Sequence, residues 1–584
     1  MIDKSRREFV KQSFLCCAAT IVSPNFISCK NSVDEQKTIY KKLPLRHFDQ
    51  GVASFDPTAN GVIIWTRYSN KKNTPIVWQV ATDKEFKKVL RSGEVIADAS
   101  TDYTIAVELQ NLSTGLKLFY RFIDQVFKGT SVIGETITLA VNPQQISFAV
   151  CSCSNFQAGL FNTYHAMANS DADIVLHLGD YIYEYAVGQY GTNSFTNSLN
   201  RKHKPSYEVI DLEGYRARYK QYRSDKNLQL LHQKKPFMCV WDDHEICNNT
   251  YLEGAQNHND GEGNFYHRLA DAVQAYSEYI PVKSANTKLN KIIYRNVKIG
   301  DLINLFMIDT RVIGRDKQVN IQDYIKLNGK LDYPSFNAVL WDSNRSTLGQ
   351  LQKNWLITEL EASDTLWQVF GQQTLMGTMT YPFEFLPYLS RIVSEAPTGF
   401  ALSDKTKAII AFQNKLSELV KLKKLYLTDK ALLTEEQRKR ITTKVPYNLD
   451  AWDGFMAERE EVLSYLKGKK FICLAGDTHN AWHNEIYNKE GVFIGHEIAT
   501  TSVNGPGLEG YLGSKYGSEL ITEIEQNIEF MVEHLQYFEA SRRGFLKATF
   551  TKKNCIAEWI YIDTIWSENY STALGYKKVI SAFN

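Results

Sequence analysis

Four short groups of polar residues in this chain carry side chains that could bind metal ions. Each group follows directly after a run of apolar, strand-forming residues. The groups are Cys153-Ser154-Asn155; Gly179-Asp180-Tyr181-Ile182-Tyr183-Glu184; Asp242-Asp243-His244-Glu245 with Asn248 and Asn249; and Gly476-Asp477-Thr478-His479. Carboxylates, imidazoles, phenolates and thiolates are the usual protein ligands of catalytic metal ions. The pattern therefore predicts a metal centre assembled from distant parts of the chain.

A pair of metal ions is well suited to hydrolysing a phosphate ester. Two cations about 3.5–4 Å apart neutralise the phosphate, lower the pKa of a bound water and stabilise the leaving oxygen. Asp180 can bridge two cations, and His479 can offer a neutral nitrogen. A phenolate from Tyr183 or a thiolate from Cys153 favours a trivalent or softer ion beside a harder one. We therefore expect hydrolysis of a small phosphate ester by attack of a metal-bound hydroxide.

Taken singly, each group has an ordinary structural explanation. An aspartate at a strand end commonly caps a turn or a helix, and a lone cysteine such as Cys153 is most often a buried structural thiol. His244, beside two aspartates, could be an ion-paired surface histidine. The four groups nevertheless occur in order, each after a strand-like run. This combination favours one shared site.

The strands that must position these groups are indicated by nearly continuous apolar runs. The runs cover residues 146–153, 174–180, 237–243, 303–309 and 471–477, and helical patterns such as 160–170 and 348–362 alternate with them. In layered α/β proteins such strands are buried on both faces, and ligands bind beyond the strand ends. Residues 142–584 are therefore predicted to form one α/β domain with its polar groups at the strand ends.

Two other segments differ in pattern from this domain. Residues 43–141 contain about seven short alternating runs separated by turn signals, which is typical of an immunoglobulin- or fibronectin-like β-sandwich. A β-rich extension of the following domain is the alternative. Residues near 385–445 are helical in pattern and rich in lysine, with a capping box expected at Thr434. We expect a helical insertion there, either as a lid or as a solvated surface addition.

The composition excludes several other classes of protein. The chain has 584 residues, of which 43% are hydrophobic and 23% charged, so it can build two or three domains with large cores and is not disordered. The formal net charge of +2, without a long basic block, argues against nucleic acid as a stable partner. No internal stretch reaches the roughly 20 apolar residues of a membrane-spanning helix.

The first 28 residues match a twin-arginine export signal. Ser5-Arg6-Arg7-Glu8-Phe9-Val10-Lys11 precedes a moderately apolar run. We expect residues 1–28 to be read by the twin-arginine translocase and residues 29–42 to be a polar linker. Cys29 stands where a lipoprotein signal places a lipidated cysteine, which would anchor the protein to a membrane. The mature protein is then expected in the periplasm or anchored at a membrane or cell surface. A short amphipathic helix with a chance arginine pair is the alternative.

The motifs together resemble those of the calcineurin-like metallophosphoesterases, and among these the PhoD-type alkaline phosphatases and phosphodiesterases. The resemblance rests on residues 179–185, 241–245 and 476–479, with support from 51–57, 309–311 and 450–455. It implies a four-layer α/β/β/α metallophosphoesterase domain preceded by the β-sandwich. It also implies a phosphoric ester hydrolase that uses Fe3+ and Ca2+.

The resemblance assigns roles to individual residues as well. The implied metal ligands are Cys153, Asp180, Tyr183, Asp243, Asp477 and His479. Asp180 would bridge the two ions, and Tyr183 and His479 would face the iron. His244 would contact the phosphate or protonate the leaving group, so that His244 and Asp243 are the implied catalytic residues.

Two features of the chain depart from the family pattern. The usual Val-x-x-His ligand is missing, and an amide oxygen of Gln372 or Gln373, or of Asn248 or Asn249, could replace it. The phosphate-binding arginine is also uncertain in position. Arg311 is the candidate, acting with His244 and Asn248, but it could instead be a structural ion-pair partner.

Two other functions are compatible with the same sequence. A phospholipase-like phosphodiesterase would use the same scaffold with a differently shaped pocket. A catalytically silent surface lipoprotein would bind ligands through its sandwich, although the complete set of metal ligands argues against it.

Overall fold

A computed structural model describes residues 43–283, 292–394, 402–512 and 518–583. The twin-arginine motif, the linker and Cys29 lie outside the described residues. None of the described helices combines the length and the apolar composition needed to traverse a lipid bilayer.

The described chain forms 23 strands and 12 α-helices. Strands β1 to β23 span, in chain order, Val52–Phe55, Val62–Arg67, Thr74–Ala81, Val89–Ala97, Thr104–Leu109, Lys117–Asp124, Gly129–Thr130, Gly134–Ile137, Gln145–Cys151, Ile174–Leu178, Phe237–Val240, Arg295–Ile299, Ile303–Met307, Trp367–Gly371, Thr380–Pro382, Lys444–Pro446, Lys470–Ala475, Ala481–Tyr487, Phe493–Ala499, Leu535–Glu539, Arg543–Thr551, Asn554–Ile562 and Thr572–Ser581. Helices α1 to α12 span Asn162–Asn169, Leu212–Arg223, Lys226–Lys234, Phe265–Tyr279, Tyr333–Leu340, Gly349–Ala362, Leu386–Ser394, Leu402–Thr428, Glu435–Thr442, Met456–Leu466, Leu508–Leu512 and Ser518–Met531.

The larger sheet has nine strands, in the order β23-β22-β21-β9-β10-β11-β1-β2-β5. Strands β9, β10, β11 and β1 run parallel, with Leu176 of β10 opposite both Val150 and Met238. The flanking strands on either side are antiparallel. Every residue of β10 and β11 is buried, because a strand covered on both faces needs apolar side chains on both. The carboxyl ends of the parallel strands form one common edge.

The second sheet has seven strands, in the order β12-β13-β14-β17-β19-β18-β20. Its side chains alternate between two faces because the side-chain period of a strand is two residues. Leu305 and Val369 share a core with the nine-stranded sheet, whereas Phe306 and Phe370 pack against helices α6 and α10. On the nine-stranded sheet, α1 contacts β21 and β22, and α3 contacts β1. The fold is therefore a mixed α/β arrangement of several sheets.

The N-terminal strands are divided between two sheets. Strands β3, β4, β6, β7 and β8 make a five-stranded sheet, whereas β1, β2 and β5 belong to the nine-stranded sheet. An apolar core that includes Ile64, Trp78 and Phe122 fills the space between the two. Strand β1 pairs with β11 through Phe55 and Phe237. The sequence did not indicate this pairing, because alternation of side chains identifies a strand but not the strand with which it pairs.

A helical segment lies between β15 and β16, which pair with each other antiparallel. It contains α7, α8 and α9. The capping box expected at Thr434 is present at the start of α9, where the side chains of Thr434 and Gln437 satisfy each other's backbone N–H groups. Phe385 at its beginning packs on Phe412 of α8 with ring centroids 5.0 Å apart. Both residues belong to an apolar core that also includes Trp482 of β18 and Ile524 of α12, so the segment packs against the rest of the domain.

The carboxyl ends of the two large sheets meet. Ser152, just after β9, forms a parallel bridge with Ser502, which follows β19. Gly476, just after β17, leaves no room for a side chain, since a Cβ there would lie 2.6 Å from Oγ of Ser152. The loops after β9, β10, β11 and β17 are thereby brought to one place.

Candidate metal centre

The first two strand-end loops are joined through their main chains. The N–H of Cys153 donates to the carbonyl of Gly179 at 3.1 Å, and the N–H of Ser154 donates to the carbonyl of Asp180 at 2.9 Å. Gly179 has a φ of 102°, and a Cβ there would lie 2.3 Å from Cβ of Asp242. Only glycine allows this approach, so the residue before Asp180 fixes the distance between two ligand loops.

Glu245 ties the loops after β10 and β11 together. Its Oε2 accepts hydrogen bonds from the N–H groups of Asp180 at 2.9 Å and Asp242 at 2.8 Å, and its Oε1 accepts one from Tyr181 at 2.6 Å. Burial raises the pKa of Glu245 to about 8, although these hydrogen bonds oppose the shift. The carboxyl group acts as a fixed template for the backbone that carries the ligands.

Three groups of side chains place their ligand atoms within 4.8 Å of one another. They are Cys153, Asp180 and His479; Asp180, Asp243 and His244; and Asp242, Asp243 and Asp477. Asp180 belongs to the first two groups and Asp243 to the last two. The groups therefore form one continuous site rather than three separate ones, with Asp180 and Asp243 as the shared residues.

Tyr183 completes the first group. Its phenol donates to Oδ2 of Asp180 at 2.8 Å and lies 3.1 Å from Nε2 of His479. Its ring stacks on His244 with centroids 4.2 Å apart. Tyr183 thus contacts the first group through its oxygen and the second through its ring. The structure brings together all six residues predicted as ligands, together with the predicted proton donor His244.

The backbone at the site is left-handed at five non-glycine residues. They are Cys153, Asp180, Asn249, Asp477 and His479, with φ between 53° and 65°. This conformation costs of order 1 kcal/mol or more for each residue and persists where the surroundings enforce it. Local strain concentrated in this way is typical of functional sites and aims each side chain inward.

The charge balance of the site fits bound cations. Burial and the neighbouring carboxylates raise the pKa of the Cys153 thiol and of the Tyr183 phenol well above their ordinary values. Burial also raises the pKa of Asp180 well above its usual range and that of Asp477 to about 7. Oδ2 of buried Asp242 has no hydrogen-bond partner. Acidic groups crowded in a dry site repel one another, and cations reverse this effect.

His479 has the properties of a neutral nitrogen ligand. Burial lowers its pKa to about 4, so the ring is uncharged at neutral pH. Its Nδ1 lies 2.8 Å from the carbonyl oxygen of Pro506. A carbonyl only accepts hydrogen bonds, so Nδ1 carries the proton and the Nε2 lone pair faces Tyr183 and the first group.

His244 has the opposite character. Its Nδ1 lies 2.7 Å from Oε2 of Glu184, and Glu184 is fixed by the backbone N–H of Asn248 and the side chain of Asn257. Burial alone would lower the pKa of His244, but Glu184 and Asp243 raise it well above its ordinary value. The contact with Glu184 thus favours the protonated ring, in which His244 can donate a proton or attract an anion.

Arg311 is an ion-pair partner in this structure. Its fully buried guanidinium donates to Asp242, to Asp450 at 2.5 Å and to Asp477 at 3.1 Å. Arg315 donates to the other oxygen of Asp450 at 2.6 Å. With all three of its nitrogens engaged, Arg311 holds ligand carboxylates in place and does not line the cavity. Of its two predicted roles, the geometry favours the structural one.

The two glutamines considered as replacement ligands have other partners. Oε1 of Gln372 accepts a hydrogen bond from the indole N–H of Trp452 at 3.0 Å. Oε1 of Gln373 accepts from the hydroxyl of Thr310 at 2.8 Å and from its N–H. Both glutamines are buried, so their oxygens are engaged away from the three groups.

A cavity of about 1120 Å³ opens over the site. The site residues that line it are Asp180, Asp243, His244, Asn248, Asn249, Asp477 and His479. Asn248, which was predicted to contact substrate, is half-buried and donates its side-chain N–H to Gln256 at 3.0 Å. Substrate can therefore reach both His244 and the shared aspartates from the cavity.

Four residues at the site have roles that the sequence alone did not reveal. Glu184 orients His244, and Asp242 completes the third group. Glu245 joins two loops, and Asp450 pairs with the two arginines. Glu184, Asp242 and Glu245 each stand next to a residue that was predicted to belong to the site. This position in the sequence could have identified them as site residues. It does not distinguish a carboxylate that binds metal from one that orients a neighbouring side chain.

Comparison with known proteins identifies the class and then the family. Acids, a thiol, a phenol and histidines are gathered at the strand ends of two sheets, as a phosphoesterase requires. The relatives described below are phosphatases, so the class of this protein is a phosphoesterase. The family model described as PhoD-like phosphatase matches residues 148–559, and that of its N-terminal domain matches residues 35–140. The chain therefore belongs to the PhoD-like phosphatase family.

Two relatives extend over most of the chain. Alkaline phosphatase D of Bacillus subtilis (strain 168) is 28% identical over 533 residues, which covers 88% of this chain and 77% of that protein. A solved structure of PhoD is 26% identical and superimposes with a TM-score of 0.71, covering 93% of this chain and 92% of that one. The likeness thus includes both the N-terminal strands and the site.

Proposed function

We propose that this protein is an exported, metal-dependent phosphoesterase that hydrolyses phosphomonoesters and accepts phosphodiesters in the same cavity. One observation carries the proposal: three groups of ligand atoms, joined through Asp180 and Asp243, lie at the floor of an open cavity beside the charged His244. A set of buried acids that outnumbers its basic partners is costly to a protein unless a cation is bound.

We assign the ions by the chemistry of the donors. Cys153, Tyr183 and His479 with Asp180 supply thiolate, phenolate and imidazole, which suit Fe3+. The other two groups offer almost exclusively carboxylate oxygens, which suit Ca2+. When bound, such a pair would supply an activated water and would neutralise the phosphate.

The protein's own residues act on the substrate from the cavity side. His244 has its Nδ1 engaged by Glu184, so Nε2 is the nitrogen that can protonate the leaving oxygen. Asn248 and Asn249 line the cavity next to it and can donate N–H groups to phosphate oxygens. Arg311 contributes indirectly, because it fixes the orientation of Asp242 and Asp477.

The experiment that tests this function combines metal analysis with an assay. Elemental analysis of the folded protein should find close to two ions per chain, and hydrolysis of an aryl phosphate should stop on chelation and return with added metal. Rates with an aryl monoester and the corresponding diester should both exceed background. A fully metal-free protein with unchanged activity would falsify the proposal.

We also propose export by the twin-arginine route and a lipid anchor at Cys29, supported by the motif at residues 5–11. Replacing Arg6 and Arg7 by lysine should retain the precursor in the cytoplasm, as measured by fractionation. Replacing Cys29 by serine should release the mature protein from membranes. Unchanged fractionation in either variant would contradict the corresponding step.

We propose further that the catalytic region has four layers, helix-sheet-sheet-helix. The support is a core shared by the two large sheets and a separate core between the seven-stranded sheet and helices α6 and α10. An experimental structure checks the order of the layers.

A further inference from the structure

The cavity above the metal centre is lined by side chains of different character. The site acids and histidines form one set, and Gln322, Arg391 and Asn448 add further polar groups. A second set consists of apolar side chains from separate segments, which include Ile321, Phe383, Leu386, Leu389, Leu449 and Leu508. We call these six residues the apolar wall. A site that only had to bind inorganic phosphate or a very small ester would have no use for it.

The apolar wall is held by packing against two cores. Phe383, Leu386 and Leu449 pack against a small core around Phe336 and Val445. Leu389 and Leu508 belong to a larger core that also contains Phe412 and Trp482. Side chains held by two cores keep their positions, so a ligand would not have to order them.

Ion pairs also hold the segment that carries Phe383, Leu386 and Leu389 of the wall. Glu384, between Phe383 and Phe385, receives a hydrogen bond from Arg440 of α9 at 2.8 Å, and Nζ of Lys415 of α8 lies 3.6 Å away. Phe385 is buried against Phe412. The inserted helices thereby fix the first turn of α7 at the edge of the cavity.

The size of the cavity leaves room for a large ligand. Its volume of about 1120 Å³ lies just above the roughly 300–1,000 Å³ of pockets that enclose drug-sized ligands. We propose that the apolar wall binds the alcohol part of the substrate and selects phosphate esters of large apolar alcohols, with alkyl or aryl chains. This inference rests on the proposed phosphoesterase activity and names its substrate class.

A series of n-alkyl phosphates, used as dissolved monomers with the metal-loaded protein, tests the proposal. Burying a methylene is worth about 0.8 kcal/mol, which corresponds to up to about a fourfold gain in kcat/KM for each added carbon. We expect kcat/KM to rise with chain length from methyl to octyl phosphate and then to level off. A slope of zero across the series overturns the inference.

Two substitutions in the wall and one control locate the effect. Phe383→Ser and Leu386→Ser should each flatten the dependence of kcat/KM on chain length. Leu432→Ser, on the same inserted segment but 66% exposed and away from the cavity, should leave both slope and rate unchanged. If Leu432→Ser alters the slope as much as the wall variants, the wall is not the binding surface. Circular dichroism of each variant confirms folding.

The same data separate this inference from the proposed function. If no alkyl or aryl phosphate is hydrolysed, the phosphoesterase activity itself fails. If all are hydrolysed with equal kcat/KM, only the apolar selectivity fails. A second experiment measures hydrolysis of phosphatidic acid in vesicles of phosphatidylcholine. A rising slope with soluble esters supports the wall, and cleavage in vesicles as well identifies a membrane-held ester as a source of the substrate.

Discussion

Buried charges are balanced differently in two regions of this protein. Between the N-terminal strands and the helices beside them, Asp102 receives hydrogen bonds from Arg67 at 3.0 Å and Tyr279 at 2.5 Å, and Lys220 lies 3.1 Å away. Each charge there has an opposite partner. Burial would raise the pKa of Asp102, but Arg67 outweighs it, so the pKa is lowered.

At the strand-end site acids outnumber bases. Asp180, Asp242, Asp243 and Asp477 converge with Arg311 and His244 as the nearby cations. Burial raises the pKa of Asp477 to about 7, the opposite direction from Asp102. The comparison teaches that the first region is built to stabilise the fold, whereas the second is built to hold something positive that the chain does not itself supply.

The largest expected effect comes from removing the shared ligand. Asp180→Asn keeps the shape of the side chain but removes its charge from two of the three groups. Because paired cations supply several kcal/mol of transition-state stabilisation, we expect kcat to fall by at least about a thousandfold. Steady-state hydrolysis of an aryl phosphate measures it. Full activity in Asp180→Asn, or an equal loss of activity in Asp102→Asn, would show that the two regions do not differ in their importance for catalysis.

Removing the guanidinium at the site should give the largest loss of stability. Arg311→Met removes the ion-pair partner of buried Asp242 and of partly exposed Asp477, whereas Asp450 keeps Arg315, and breaking a buried pair costs about 3–5 kcal/mol. Urea denaturation of the chelator-treated protein measures the free energy of unfolding. Arg67→Met, which removes a partner from the single carboxylate of Asp102 and leaves it with Lys220, is the matched control and should lose less. If Arg311→Met loses less free energy of unfolding than Arg67→Met, Arg311 is not the main ion-pair partner of the site carboxylates.

Metal binding should stabilise the protein through the site. A ligand that binds only the folded state at 100 times its Kd adds about 2.7 kcal/mol. Chelation should therefore lower Tm in the unmodified protein and in Asp102→Asn, but have little effect in Asp180→Asn. Differential scanning calorimetry measures the shift. Equal shifts in all three proteins would show that the chelator acts elsewhere.

The smallest effect is expected at the balanced region. Asp102→Asn removes a charged acceptor and should cost about 1–2 kcal/mol at neutral pH, with activity unchanged. Since the folded-state pKa of Asp102 lies below the unfolded value of 3.8, its contribution is present above that value and is lost as pH falls through the folded pKa. In urea titrations, the free energies of unfolding of the unmodified protein and of Asp102→Asn should become equal at low pH. A difference in this free energy that persists at low pH would contradict the prediction.

The sequence predicted the site better than the fold around it. Strand runs ending in Cys153, Asp180, Asp243 and Asp477 indicated which side chains would lie close together, because apolar continuity followed by a polar group marks the end of a buried strand. These residues do converge. The helices predicted at 160–170 and 348–362 correspond to α1 and α6, since their periodicity is local.

Other features depend on partners distant in the chain, which local patterns do not specify. Nothing in the alternation of β1 indicates that Phe55 lies beside Phe237. The partners of Arg311 were likewise undetermined, because Asp242 and Asp477 are 69 and 166 positions away. The role of Glu245 depends on the N–H groups of two loops, and only the assembled backbone brings these together.

The pairing of β1 with β11 has a consequence for any shortened version of this protein. A fragment beginning after residue 141 would lose three strands of the nine-stranded sheet and leave the edge of β11 uncovered. Unpaired strand edges with apolar faces recruit other chains. The catalytic part would thus tend to self-associate when separated, and the N-terminal part would lack the neighbour that completes it. The two segments therefore depend on each other to complete one sheet, although their sequence patterns differ.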